Sequence, residues 1–190
     1  MSASTTLYSA PNSRGELVEW YLREIGADVN VKTLDMKNGE HKTAEFLAIN
    51  PFGKVPALHE SDDGGWTLFE SGAILMYLAE KYDPKYPKDI RGRAKVAQWM
   101  LFANSTLSMA LFVESMRERQ MPGMMEVLEQ HFSQHPFVMG DEFGVVDVVV
   151  GGYLSFVKKF LGDKVDMTPY PHLTQYMDRI EGREKRYARK

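Results

Sequence analysis

Cysteine is absent from the 190 residues. That excludes disulfides, thiolate metal ligands and a protein thiol acting as nucleophile. Long apolar runs are missing as well. The most apolar stretch, residues 143–157, carries Asp147 and falls short of the roughly 20 residues that span a bilayer. The opening Met1-Ser2-Ala3-Ser4-Thr5-Thr6 lacks the basic-then-apolar order of a secretory leader. Charge of one sign is also scarce: the net charge of -3 is too small to draw a nucleic acid through the overall field. Together these absences lead us to expect a soluble, cytoplasmic protein with no metal, no membrane and no nucleic acid among its partners. The one basic block, residues 183–190, reads as a solvated tail.

Hydrophobic residues make up 44% of the chain, enough to build a core, and its two halves are patterned differently. Residues 6–9 read as a strand broken by Pro11. Leu17, Val18, Tyr21, Leu22 and Ile25 then share one helical face, and Gly26 ends that helix. Residues 29–34 alternate as a second strand, giving a βαβ unit with parallel strands and a right-handed crossover. A polar stretch at 35–40 and a short helical piece at 44–48 follow. Strands at 55–59 and 66–69 are joined by the turn sequence Ser61-Asp62-Asp63-Gly64-Gly65 into a hairpin, and a helix covers 71–82. The order βαβ-α-ββ-α implies a mixed sheet of about four strands with helices on its faces.

Beyond residue 90 only helical periodicity appears. A long helix covers 90–120, and Pro122 opens another that runs to about 134. A helix at 145–160, apolar on nearly every side, belongs at the centre of its domain. A last helix begins near His172. Pro84 and Pro87 forbid a continuous helix over 83–89, which is the expected linker between a domain of residues 1–82 and an all-helical domain of residues 90–190.

Three motifs carry chemistry. In Asn50-Pro51-Phe52-Gly53-Lys54-Val55-Pro56, a proline opens a strand where a ladder donor is normally needed. It is either an ordinary edge-strand proline or a cis bond that turns the backbone of Val55 outward to pair with an extended peptide. Glu70-Ser71 stands where a strand ends and a helix begins. Ser71 either caps that helix or, with the free N–H groups of the helix end, binds a carboxylate while Glu70 accepts from an ammonium group; that pair suits an α-amino-acid end. Ser13-Arg14-Gly15-Glu16 reads as a capping box, or as a hydroxyl at a helix N-terminus aimed at a ligand thiol.

In combination, the element order, the Val-Pro that opens the third strand, the Glu-Ser that opens the third helix and the all-helical second half resemble the cytosolic glutathione transferases. The resemblance covers nearly the whole chain. It implies a thioredoxin-like α/β N-terminal domain that holds glutathione as co-substrate, followed by an all-α C-terminal domain. In the serine-using classes a hydroxyl lies five residues after a Leu-Tyr in the first strand; counted from Tyr8 this is Ser13, the implied catalytic residue, with Tyr8 as the other candidate. Gly39-Glu40-His41-Lys42 is similar to a theta-like pattern and assigns the glycine carboxylate to His41 and Lys54, while Val55, Pro56, Glu70 and Ser71 complete the glutathione-binding set. Two positions depart from the family pattern: Gly72 follows Glu-Ser where an arginine or similar polar residue is usual, and Gly144 replaces a hydroxyl residue at the start of the central helix, a change worth only a few tenths of a kcal/mol.

The implied activity is that of a transferase for detoxification, adding the glutathione sulfur to a hydrophobic electrophile, with peroxide reduction also open. A free thiol of pKa about 8.5 is only about 3% thiolate at pH 7. Lowering that pKa by about two units is worth roughly 2.7 kcal/mol, the size of one charge-assisted hydrogen bond plus a helix end. Trp99, Met100, Phe102, Ala103, Met109, Phe112 and Met116 are candidates for the electrophile site, although such spacing is also that of a plain helix core. A homodimer is implied, with Phe52 as an aromatic plug. The competing reading is a non-catalytic ligand carrier or assembly module on the same fold.

Overall fold

A computed structural model of the chain describes residues 4–62, 64–162 and 165–187. It forms two compact units, Met1–Pro84 and Lys85–Lys190.

The first unit is built on strands β1 (Thr5–Ser9), β2 (Asn30–Thr33), β3 (Ala57–Glu60) and β4 (Trp66–Phe69), in the spatial order β2-β1-β3-β4. β1 pairs parallel with β2 and antiparallel with β3, and β3 pairs antiparallel with β4. The expected βαβ unit and hairpin are both present. Helices α1 (Gly15–Ile25) and α3 (Ser71–Tyr82) pack together, burying Val18, Trp20 and Tyr21 on one and Ile74, Leu75 and Leu78 on the other. Side chains alternate across the sheet, so Tyr8 and Ala57 face the other way; there Phe46 of α2 (Ala44–Ile49) packs with Leu34 and Ala57. β2 does not bury alternate residues as its pattern suggests. All four are exposed, and Val29 and Leu34, just outside its ends, carry its burial, because β2 is an edge strand.

The second unit contains α4 (Ile90–Leu101), a wider π-type turn at Phe102–Leu107, α5 (Ser108–Phe112), α6 (Glu114–Gln134), α7 (Val145–Phe156), α8 (Pro171–Glu181) and a short α9 (Glu184–Tyr187). α7 is the expected centre: Val146, Val148, Val149, Val150 and Leu154 are all buried. The break expected at Pro122 lies instead at Val113. The helical run 90–112 bends by 119° into α6, and Pro122 sits inside α6. Arg117 accounts for the shift: Nε and Nη2 donate to the carbonyl of Leu111 at 3.0 and 2.8 Å, satisfying a helix-end acceptor that would otherwise be stranded. Nor is the basic C-terminal block simply a solvated tail. The Arg183 guanidinium lies 3.7 Å from the Phe143 ring centroid, and Arg186 donates to the Ser155 hydroxyl at 2.9 Å; residues 188–190 lie outside the described residues.

Asp147 ties this unit together. It is fully buried and accepts from the Val138 N–H at 2.9 Å, the Gly144 N–H at 2.9 Å and the Tyr176 hydroxyl at 3.1 Å. Tyr176 in turn stacks on Phe132 at 3.8 Å.

Candidate functional site

The sheet register brings three chain reversals to one edge. Tyr8 opposite Ala57 sets the end of β1 beside the start of β3, and Ala57 opposite Phe69 sets the end of β4 on the other side of the same point. The loops there border a cleft of about 610 Å³ lined by five of the residues expected from sequence: Lys54, Val55, Pro56, Glu70 and Ser71. The remaining lining residues, Arg14, Asn50, Phe52 and Phe69, were not part of that set.

Ser71 opens α3. It is only 3% exposed, and its hydroxyl has no hydrogen-bond partner among the described residues. Leaving a buried hydroxyl unpaired costs about 1–3 kcal/mol, so an empty partner position facing a cleft is a place for a ligand. The start of α3 adds its first N–H groups at this place, since the first turn of any helix leaves them without carbonyl partners. Glu70 is held at φ 71°, a conformation that costs a non-glycine residue about 1–3 kcal/mol and clusters at ligand clamps. Glu70 and the first residue of α3 thus both line the cleft, and a carboxylate and helix-end donors are complementary to an ammonium and a carboxylate on one ligand end.

The Val55-Pro56 bond is cis, and Val55 is half-buried just before the β3 ladder begins at Ala57. The loop leading to it is fixed by Asn50, buried to 2% exposure. Its Nδ2 donates to the Lys54 carbonyl at 2.7 Å and its Oδ1 accepts from the Phe52 N–H at 3.1 Å. Phe52 is 63% exposed and meets Phe69 edge-on at 5.3 Å.

His41 does not line the cleft, but it is close to a residue that does. Gly53, at φ 60°, abuts the His41 carbonyl so tightly that a Cβ there would fall 2.8 Å from it, and Lys54 follows directly. The His41 Nδ1 is buried without a partner among the described residues. Two buried polar atoms in want of partners therefore belong to residues on the expected list.

Ser13 is placed differently from either sequence reading. Its hydroxyl donates to the Ala10 carbonyl at 2.6 Å and accepts from the Gly15 N–H at 3.0 Å. Only the Ser13 carbonyl, at 3.2 Å, meets the Glu16 N–H, so the capping box does not form; the side chain closes a tighter turn before α1. Ser13 is not among the cleft-lining residues. Neither is Tyr8, whose ring packs on Phe46 at 5.6 Å. Of the electrophile-site candidates, Met100 and Ala103 are buried core, whereas Met109 and Phe112 are exposed at 42% and 41%. Asn50 had a readable signal in its Asn-Pro turn; Arg14 had one only in standing at a helix N-terminus, where a cation is disfavoured.

Comparison with known proteins matches residues 3–80 to the family described as "Glutathione S-transferase, N-terminal domain" and residues 115–179 to "Glutathione S-transferase, C-terminal domain". The chain is 28% identical over 196 residues to "Disulfide-bond oxidoreductase YfcG" of Escherichia coli, covering 93% of this chain and 90% of that protein. It is 35% identical over 141 residues to "Glutathione S-transferase theta-1" of Rattus norvegicus, covering 62% and 58%. Among solved structures, a glutathione transferase from Burkholderia graminis with two glutathione molecules bound per subunit aligns with a TM-score of 0.81 at 26% identity, over 96% of this chain and 85% of that one.

Proposed function

The chain belongs to the glutathione S-transferase family, and on that premise we propose that its cleft binds glutathione and delivers the thiolate to an electrophilic small molecule. The observation that carries the proposal is the buried Ser71 hydroxyl, which has no partner among the described residues, at the N-terminus of α3 and next to Glu70 in the cleft lining. The γ-glutamyl end offers the matching groups, its carboxylate to Ser71 and the helix-end N–H groups, its ammonium to Glu70. The cysteinyl main chain lies along Val55. Lys54 takes the glycine carboxylate from the cleft wall, with His41 behind it against Gly53 as the second candidate.

Fixing both ends of the tripeptide holds the sulfur in one place, which converts a random encounter into a positioned attack. The sulfur bonds to the electrophilic carbon, and the leaving group departs with its electron pair. A preparation given glutathione and an aryl halide should form the thioether well above the uncatalysed rate. Binding without turnover across varied electrophiles would favour the carrier reading instead.

A second reaction deserves the same assay because the similar Escherichia coli protein is named a disulfide-bond oxidoreductase. With no cysteine in the chain, the sulfur must come from glutathione. Its thiolate bonds to one sulfur of the substrate disulfide and expels the other as a thiolate; a second glutathione then displaces the remaining half, leaving oxidised glutathione. Turnover of a small disulfide in excess of aryl-halide conjugation would rank this reaction first.

The partner proposed for the protein itself is a second copy, with the exposed Phe52 ring as its anchor. Buried aromatic anchors dominate interface energies, so sedimentation should find a dimer that Phe52→Ala weakens; an undisturbed dimer in that variant removes Phe52 from the contact.

A further inference from the structure

We propose that Arg14, rather than the Ser13 hydroxyl, is the catalytic group that holds the glutathione sulfur as thiolate, a proposal that rests on the glutathione reading above. Across the cleft edge the order is the loop at 10–14, then Val55-Pro56, then Glu70-Ser71. With the γ-glutamyl end at Glu70-Ser71 and the cysteinyl main chain along Val55, the loop after β1 is the segment left to meet the thiol. Arg14 is the residue of that loop that lines the cleft.

The hydroxyls nearby are already engaged. Ser13 donates to the Ala10 carbonyl and accepts from the Gly15 N–H, and Ser9 donates to the Glu19 carboxylate. Turning the Ser13 hydroxyl to a sulfur would strand the Ala10 acceptor.

Arg14 also breaks a local rule. It stands at the N-cap of α1, where a positive charge opposes the helix dipole by about 0.3–1 kcal/mol. An anion bound at the cleft is attracted by the guanidinium and the helix end together. Such a violated preference is what a binding function leaves behind. The start of α1 is also tightly held: a Cβ on Gly15 would fall 2.2 Å from the Ser9 Oγ, so the backbone that carries Arg14 is pinned to the end of β1. Charge balance agrees. The lining offers Arg14 and Lys54 against Glu70, while glutathione brings two carboxylates and one ammonium, and its thiol adds a second net negative charge on ionisation.

An arginine beside an acid lowers its pKa by about 1–3 units. Arg14 is exposed, and water screening puts the expected effect at the low end. The test is a pH titration of the thiolate absorbance of bound glutathione in wild type, Arg14→Gln, Arg14→Lys and Ser13→Ala, with S-methylglutathione affinity measured on the same proteins. In Arg14→Gln the bound thiol pKa should rise by about one unit, and kcat/KM at pH 7 should fall by up to about tenfold. Arg14→Lys should restore most of both, Ser13→Ala should change little, and S-methylglutathione, which has no ionisable thiol, should bind Arg14→Gln nearly as wild type does. A wild-type thiol pKa in Arg14→Gln overturns the proposal. An equal loss of S-methylglutathione affinity also overturns it, by assigning Arg14 to a carboxylate. Wild-type protein that binds neither tripeptide would instead remove the glutathione reading beneath it.

Discussion

Ser71→Ala is expected to weaken glutathione binding by about 10- to 100-fold while leaving the ligand-free protein as stable as wild type or slightly more so. A hydrogen bond to a charged group is worth about 1.5–3 kcal/mol, and each 1.4 kcal/mol is tenfold in affinity. The second half of the expectation separates this residue from an ordinary helix cap. Ser71 does not cap α3 through its side chain, and its buried hydroxyl meets no partner among the described residues. An alanine therefore removes a polar group that the empty fold leaves unsatisfied, where a true cap would lose about 1 kcal/mol. Titration calorimetry and thermal unfolding of the same variant read both halves. Unchanged affinity would take Ser71 out of the binding site, and a clear loss of ligand-free stability would make it structural.

Asp147→Ala should cost the helical unit about 3–5 kcal/mol, the effect of removing one partner from a buried charged network. Three donors converge on this side chain, from Val138, Gly144 and Tyr176, and each left unpaired in the interior costs about 1–3 kcal/mol without strict additivity. In a protein of ordinary stability, about 5–15 kcal/mol in total, that loss consumes much of the margin. Urea unfolding of the variant checks it, and a loss below about 1 kcal/mol would contradict the network's role.

Asp147 also gives stability a pH dependence. Burial pushes its carboxyl from 3.8 up to about 6, against the pull of its three donors toward the ionised form. Below the unfolded value of 3.8 both states carry the proton. As pH rises toward 6, the unfolded chain releases the proton while the fold retains it, so the protonation-linked part of this residue's contribution is fully present at low pH and lost by about pH 6, leaving the hydrogen-bond network in place. The stability difference between wild type and Asp147→Asn, in which the histidines cancel, should shrink across that window. A flat difference would contradict the assignment.

Most of the first unit was legible because its signals are local. The helical face of Leu17, Val18, Tyr21, Leu22 and Ile25, with Gly26 behind it, corresponds to α1. The glycine-rich turn joins β3 to β4, and α3 spans Ser71–Tyr82 as read. Val55, Pro56, Glu70 and Ser71 drew notice because strand-to-helix and proline-led strand junctions expose backbone groups that want partners, and the family resemblance then assigned them to a ligand. What could not be read depends on contacts distant in space or on side-chain direction. The Val113 break rests on Arg117 reaching back to Leu111, whereas Pro122, the louder local signal, is absorbed within α6. The docking of Arg183 and Arg186 depends on Phe143 and Ser155, far away in sequence. The direction of the Ser13 hydroxyl is set by a turn with several possible partners, and spacing alone cannot choose among them. Arg14 stayed hidden because a lone arginine in a polar loop is ordinarily only solvated.

The orientation of the tripeptide is the claim on which the site, its chemistry and the role of Arg14 all depend. It is tested most directly by titration calorimetry of the wild-type protein with glutathione and with cysteinylglycine, which lacks the γ-glutamyl end that Glu70 and Ser71 are assigned to hold. Glutathione should bind measurably and the dipeptide at least about tenfold more weakly. Equal affinity for both, or no heat with glutathione at millimolar concentration, would contradict it.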